Sequence, residues 1–303
     1  MEPMEGSFQR LSVDSEATSA ATPTATTVPA VDTTAPLYPG WVLLDEEEAY
    51  YNDCENGTTA EARMISGHTV KVTFFLADPP AVSNFCVHCP ELEHADFRLV
   101  SRVVFSEKHL LLLHFKFTYR LFIAAADREP PPAQYSLYKA AAHGGQPSLT
   151  PIPTTTRPDN NIASFPSVLP LEDDYGNFLV ADLAIKPTRG HYDLHIFSSK
   201  TNKWTARSLQ LQASPAVPDD LPSLPDKVIA LGAGAIGWID LWRGIVVCND
   251  VFEPDPVLRF IPLPKPEFNL RRRDSPRPVR DVTCCCDGFI KFVEMEHHPR
   301  QAR

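Results

Sequence analysis

Residues able to do chemistry occur here in short groups, and the spacing within each group decides what it can do. Asp193 and His195 stand two apart in His191-Tyr192-Asp193-Leu194-His195-Ile196-Phe197. In a strand such positions share a face, and Ser198 and Ser199 follow at once, so an acid, a base and a nucleophile for hydrolysis lie close in sequence. No G-x-S-x-G turn accompanies them, and the same residues serve as a polar outward strand face. Cys86-Val87-His88-Cys89, with His94 downstream, offers zinc-ligand types at C-x-x-C spacing. The second half of such a site is lacking, since only His297-His298 at the far end could complement it. No helix is predicted at the pair to lower a thiol pKa for redox work, so these thiols read as buried or turn residues.

Gly232-Ala233-Gly234-Ala235-Ile236-Gly237 follows the apolar run Val228 to Leu231 and has the spacing of a dinucleotide fingerprint. A fingerprint needs a helix whose N-terminus faces pyrophosphate. Here Trp238 to Trp242 runs through Arg243-Gly244 into Ile245 to Cys248, which predicts a β-hairpin. Cys284-Cys285-Cys286 is expected in a strand, where successive side chains point to opposite faces and cannot converge on one ion. Glu172-Asp173-Asp174 lacks the alternating acidic spacing of a calcium loop, and Asn56-Gly57-Thr58 reads as a turn. No catalytic, cofactor-binding or metal-binding residue is assigned, and no cofactor is expected.

The elements that would position these groups read as strands. In Thr69 to Leu76, Val70, Val72 and Phe74 alternate with Lys71 and Thr73, a period of two that implies one buried face. Further strands are expected over Arg98 to Phe105, Leu110 to Ala124, Tyr135 to Lys139, Phe178 to Ile185, Tyr192 to Phe197, Trp204 to Leu209, Val228 to Leu231, Ile236 to Trp242, Ile245 to Cys248, Val257 to Ile261, around Val282, and over Phe289 to Val293. Residues 1–36 are rich in Ala, Thr, Ser and Pro and read as a disordered leader that cannot bury enough surface to offset its ordering entropy. The β-rich domain is expected over residues 37–303. A loose repeat links Tyr135-Ser136-Leu137-Tyr138, His191 to Phe197, and Trp242-Arg243-Gly244-Ile245, each leading to a turn and a returning strand. Its spacing of roughly 50 residues suits propeller blades, so the expected fold is all-β and β-propeller-like, with a β-sandwich as the alternative. Trp41, Trp204, Trp238 and Trp242 sit in apolar patterns and are expected in the core.

Composition narrows the function. Thirty prolines among 303 residues disfavour long helices. A net charge of −10 repels phosphate backbones, so nucleic acid is not an expected partner. Arg271 to Arg273, with Arg277 and Arg280, form a basic cluster that reads as a solvated loop, with nuclear import or docking as the functional alternative. No apolar run reaches the ~18 to 20 residues of a membrane span, and the acidic N-terminus suits no transit peptide. Seven cysteines, odd in number and irregularly placed, suit reduced thiols. The expected setting is therefore cytoplasmic or nuclear, without membrane attachment.

From Gly237-Trp238-Ile239-Asp240-Leu241-Trp242-Arg243-Gly244-Ile245-Val246-Val247-Cys248, through Leu258 to Pro264 and Arg280-Asp281-Val282, to Gly288 to Glu294, the sequence resembles the plant domain of unknown function 1618 family. The most specific segment is 237–296; Trp41 to Asp45, Ala77-Asp78-Pro79-Pro80 and Cys86 to Pro90 resemble the N-terminal half of that family. The resemblance implies a propeller-like fold and supplies no activity or catalytic residue. By analogy with domains associated with F-box proteins it suggests recognition of another protein. The expected function is a non-enzymatic interaction module with an unknown protein partner; the alternative is a divergent hydrolase or small-ligand-binding enzyme using Asp193 and His195, or Cys86 and His88. Members of the family usually continue further than this chain, so the propeller is expected not to close in the usual way and to leave an exposed edge, with either an unusually paired C-terminus or a shortened product of low stability.

Overall fold

Alternation of apolar and polar residues along short, proline-bounded segments is realised as successive antiparallel sheets. The computed structural model of the chain describes residues 41–46, 49–64, 67–91, 97–119, 134–141, 145–153, 165–171, 176–212, 221–222, 225–266, 275–285 and 288–295. The expected leader lies outside the described residues. The first sheet is a meander of β3 (Ala60–Arg63), β4 (Thr69–Phe75) and β5 (Val82–His88), with two short strands, β1 (Leu43–Leu44) and β2 (Tyr50–Tyr51), parallel to β5. Three four-stranded meanders follow. They comprise β6 (Phe97–Glu107), β7 (Leu110–Tyr119), β8 (Gln134–Lys139) and β9 (Ser148–Ile152); then β10 (Ser167–Pro170), β11 (Phe178–Ile185), β12 (His191–Ser198) and β13 (Lys203–Gln210); then β14 (Lys227–Gly232), β15 (Ala235–Asp240), β16 (Gly244–Cys248) and β17 (Leu258–Pro262). β18 (Arg280–Cys284) and β19 (Ile290–Glu294) form a two-stranded fifth sheet. The described residues form no helix, and hence none long and apolar enough to cross a membrane.

Because strand side chains alternate, each sheet has two faces to bury, and the cores show what covers them. One core joins Val72, Phe74, Phe85 and Val87 of the first sheet to Leu113, Phe115 and Tyr138 of the second. The largest joins Leu112 and Leu137 of the second sheet to Val180 and Leu194 of the third and Trp238 and Val246 of the fourth. A third joins Ile239 and Ile245 of the fourth sheet to Val282 and Phe292 of the fifth. An irregularity between Val103 and Phe105 sends these two residues to different cores, as a bulge re-aims the side chains after it. Each fully buried aliphatic or aromatic side chain contributes roughly 1.5–3 kcal/mol.

The first strands of the later sheets lie together, with β6 beside β10 and β14, β10 beside β14, and β14 beside β18. Among the described residues, the outer face of each end sheet lacks a sheet neighbour. On the first sheet, Leu43 lies in register with Val82, which shares a face with Asn84 and its partner Phe75; Leu43, Val82 and Phe75 are all exposed. On the fifth, Phe289, Val293 and Met295 are exposed.

Three expectations need correction. Trp41 is not a core residue but 64% exposed, because none of the described residues covers it, whereas Trp238 and Trp242 are buried and Trp204 is half-buried. Arg280 belongs to no solvated loop, since β18 turns its side chain into the protein, where it is 1% exposed. Of the cysteine run, only Cys284 lies in a strand, Cys285 follows in a turn and Cys286 is outside the described residues, as are Arg271 to Arg273.

Candidate functional site

Where the first strands converge, they enclose a cavity of about 760 Å³. β6 supplies Arg102, Ser106 and Glu107, the link between β1 and β2 supplies Glu46, and Phe165 comes from just before β10. Further residues come from β14 and β18, including Lys227, Arg280 and Asp281, from Asp226 and Arg277 before them, and from Leu241 after β15. Glu46 is fixed through its backbone, whose carbonyl accepts from Val103 N at 3.0 Å, beside Ala49 N donating to Ser101 O at 3.3 Å. These two bonds tie the first sheet to β6.

Most charges in the cavity are matched by partners. Lys227 Nζ lies 2.8 Å from Asp281 Oδ1. Arg277 donates to the Asp226 carbonyl. Arg280 donates from Nη1 to Leu241 O at 2.6 Å and from Nη2 to Pro264 O, and its Nε lies 3.0 Å from Glu294 Oε2. Its guanidinium carbon also stands 4.7 Å from the Phe292 ring centroid and 5.5 Å from that of Trp242, a cation–π sandwich. Arg102 stands 5.9 Å from the centre of the Phe165 ring.

Two carboxyls are held above their ordinary range. Glu46 reaches the open mouth of the cavity, yet protein surrounds most of it; that burial raises its pKa, moderated by Lys227, Ser106 and Arg277. Ser106 Oγ donates to it at 3.4 Å. Burial also raises Asp226, against a hydrogen bond from Leu241 N at 2.8 Å, and Asp240 adds to the rise. Desolvation disfavours the charged form in both. The cavity can therefore bind a polar ligand or exchange a proton, but among the described residues no histidine lines it, and the bond from Ser106 to the Glu46 carboxylate is long.

The hydrolytic group anticipated from sequence does not assemble. Asp193 and His195 do share a face of β12, but Asp193 is bound by Lys186 at 2.8 Å and Ser208 at 2.6 Å. Partial burial raises its carboxyl, and these two bonds outweigh that and leave it below the usual range. Ser199 instead serves a strand end, where it accepts from Phe178 N at 2.9 Å and donates to Asn177 at 3.3 Å.

Cys86 and His88 lie on β5. The Cys86 thiol donates to Asn52 O at 2.9 Å, and His88 Nε2 lies 3.7 Å from Asp53 Oδ1. Burial pushes Cys86 up to about 11 and Cys89 up to about 12. Among the described residues no group of three potential ligands could hold a metal ion; His94 and Glu172 to Asp174 lie outside them. The glycine motif forms the turn between β14 and β15, and the hairpin expected through Arg243-Gly244 is β15–β16. Sequence reasoning missed the cavity itself, whose lining residues Glu46, Arg102, Phe165, Lys227 and Arg280 carry no common motif.

Fold and cavity together define an all-β protein of face-stacked antiparallel sheets. Residues 238–303 match the family model described as protein of unknown function (DUF1618), so the family resemblance seen in the tryptophan hairpin and the strands after it is borne out over that segment. No curated protein and no solved structure matches the chain.

Proposed function

We propose that this chain is a non-enzymatic protein-interaction module on a β-propeller-like scaffold, with the first strands facing the central cavity and the outer face of the first sheet as its contact surface. The observation that carries the reading is the apolar strip on that face, where Leu43 and Val82 are adjacent and 43% and 55% exposed, with Phe75 diagonal to them and Trp41 two residues before Leu43. Exposed aromatic and aliphatic groups clustered on a rigid sheet are typical of recognition surfaces. The partner is a protein, not nucleic acid or membrane, in keeping with a net charge of −10. Cysteines without disulfides fit a cytoplasmic or nuclear setting.

The test is affinity capture from a native extract by the full chain and by a Leu43→Lys, Val82→Lys variant, with bound proteins quantified by mass spectrometry. A partner retained near stoichiometry by the wild type and reduced tenfold or more by the variant, with an unchanged melting curve, is the expected result. Equal capture by both, or capture of chaperones alone, would sink the reading. The alternative, a small-ligand-binding enzyme, is favoured by the cavity with its two raised carboxyls, and a ligand that raises the melting temperature of the wild type but not of Asp226→Asn would bring it forward.

A further inference from the structure

Residues 52–59 form a strap across the outer face of the first sheet, and its anchors are all polar. Asn56 Nδ2 and Thr58 Oγ1 each donate to Phe74 O at 2.9 Å. Thr73 Oγ1 donates to Cys54 O at 2.7 Å, and Cys86 Sγ donates to Asn52 O at 2.9 Å. Thr73 and Cys86 are cross-strand partners on β4 and β5. The strap therefore places the backbone on either side of Asp53 over two adjacent side chains and sets Cys54 beside Cys86, and the nearby Cys54 side chain adds to the rise in the Cys86 pKa. Cys54 is half-exposed and Cys86 is buried, and both are free thiols.

We infer that Cys54 and Cys86 are a redox-sensitive pair that peroxide converts to a disulfide, fastening the strap covalently to β5. The half-exposed Cys54 meets the oxidant first. Its sulfur bonds to one peroxide oxygen as the O–O bond breaks, giving a sulfenic acid and one water. The Cys86 thiol then attacks that sulfur, the S–O bond breaks, the S–S bond forms, and a second water leaves. In total, two thiols give up two electrons and two protons, and one peroxide is reduced to two waters. Burial keeps Cys86 protonated at neutral pH, so the second step waits on a small thiolate fraction and closure is expected over minutes to hours, the scale of uncatalysed disulfide chemistry. Cys89 is only three residues from Cys86, but its thiol faces Glu91 Oε2 at 3.7 Å, and it does not take part. The inference is independent of what docks on the sheet.

The experiment treats the full reduced chain, at low concentration, with a small excess of hydrogen peroxide, then alkylates the remaining thiols after unfolding and maps peptides without reduction. The expected result is an intact mass lower by two hydrogens, alkylation at five of the seven cysteines, and one cross-linked peptide pair joining Cys54 to Cys86 that a dithiol reverses. Cys54→Ser should abolish the cross-link and leave Cys86 alkylated, whereas Cys89→Ser should keep it. A cross-link dominated by another pair, a disulfide between two chains, or Cys54 driven to sulfinic acid beside an intact Cys86 thiol would each overturn the inference, and all three are read on the wild-type chain.

Discussion

Arg280 shows how much a single side chain can hold together. A guanidinium has five donors in a planar fork and is always charged, so burying it demands acceptors on several sides. Leu241 O, Pro264 O and Glu294 provide them, and Trp242 and Phe292 flank it. The fourth sheet, the segment after β17 and the fifth sheet thus meet at one group. Arg280→Leu should cost about 3–5 kcal/mol, because Glu294 would be left charged and half-enclosed; Arg280→Lys should recover little, because an ammonium cannot span the fork. Urea unfolding measures both, and a cost below about 1 kcal/mol would refute the assignment. In sequence this residue sits among arginines and prolines and reads as loop, since nothing local signals that its acceptors lie 16 and 39 residues away. Glu46 supports a pH prediction. Its folded pKa is raised above the ordinary 4.5, so its contribution favours folding when it is protonated, below the unfolded value, and is lost as pH rises through the folded one. Glu46→Gln should therefore melt higher than wild type at pH 7 and lose that advantage by pH 4, with a difference within the roughly 0.5 kcal/mol usual for an exposed position. Melting curves across that interval check it, and an advantage that grows toward acid would contradict the sign.

Strands with a period of two were legible in sequence, among them β4 and β12, and β11 was legible as an apolar run. The strands not anticipated each carry a misleading local signal. β3 is Ala-Glu-Ala-Arg, a helix-forming composition; β9 and β10 contain Pro151 and Pro170, tolerated because both are edge strands of their sheets; and β5 ends in Cys86-Val87-His88, just before Cys89, a group that invites a metal reading. The hairpin that imitates a nucleotide fingerprint is decided by backbone chemistry. Ala233 and Gly234 have φ of 48° and 80°, the two positive values of a type I′ turn whose twist suits tight hairpins. At Gly244 the restriction is space instead of φ, since an added Cβ would overlap the Phe260 ring and the Ile261 carbonyl on the neighbouring strand β17. Gly244→Ala should force β16 and β17 apart at a cost of about 1–3 kcal/mol, seen as a lower denaturation midpoint. An unchanged midpoint would mean that the two strands separate freely there.

At the scale of the whole molecule, the repeat visible in sequence corresponds to the four-stranded meander, and β18 and β19 form a two-stranded sheet among the described residues. The cavity was not legible, because its lining residues come from segments tens to hundreds of positions apart and only the stacking of sheets brings them together. That stacking also predicts where the fold is weakest. The fourth sheet is packed on both faces, by the largest core on one side and the core shared with the fifth sheet on the other. The fifth sheet has two strands, a single packed face and an outer face bearing Phe289 at 60% exposure. Local opening of β18–β19 therefore exposes less new apolar surface than opening of β14–β17, and opening free energy follows the surface exposed. Amides of β18 and β19 should exchange with solvent deuterium at least tenfold faster than those of β15 and β16, the central strands of the fourth sheet. Arg280→Leu should widen that gap, because it removes one of the groups that fasten the fifth sheet to the fourth, beside the Lys227–Asp281 pair. If the two sheets exchange at one common rate in both proteins, they unfold as a unit, and the fifth sheet is held by more than one packed face, one arginine and one ion pair.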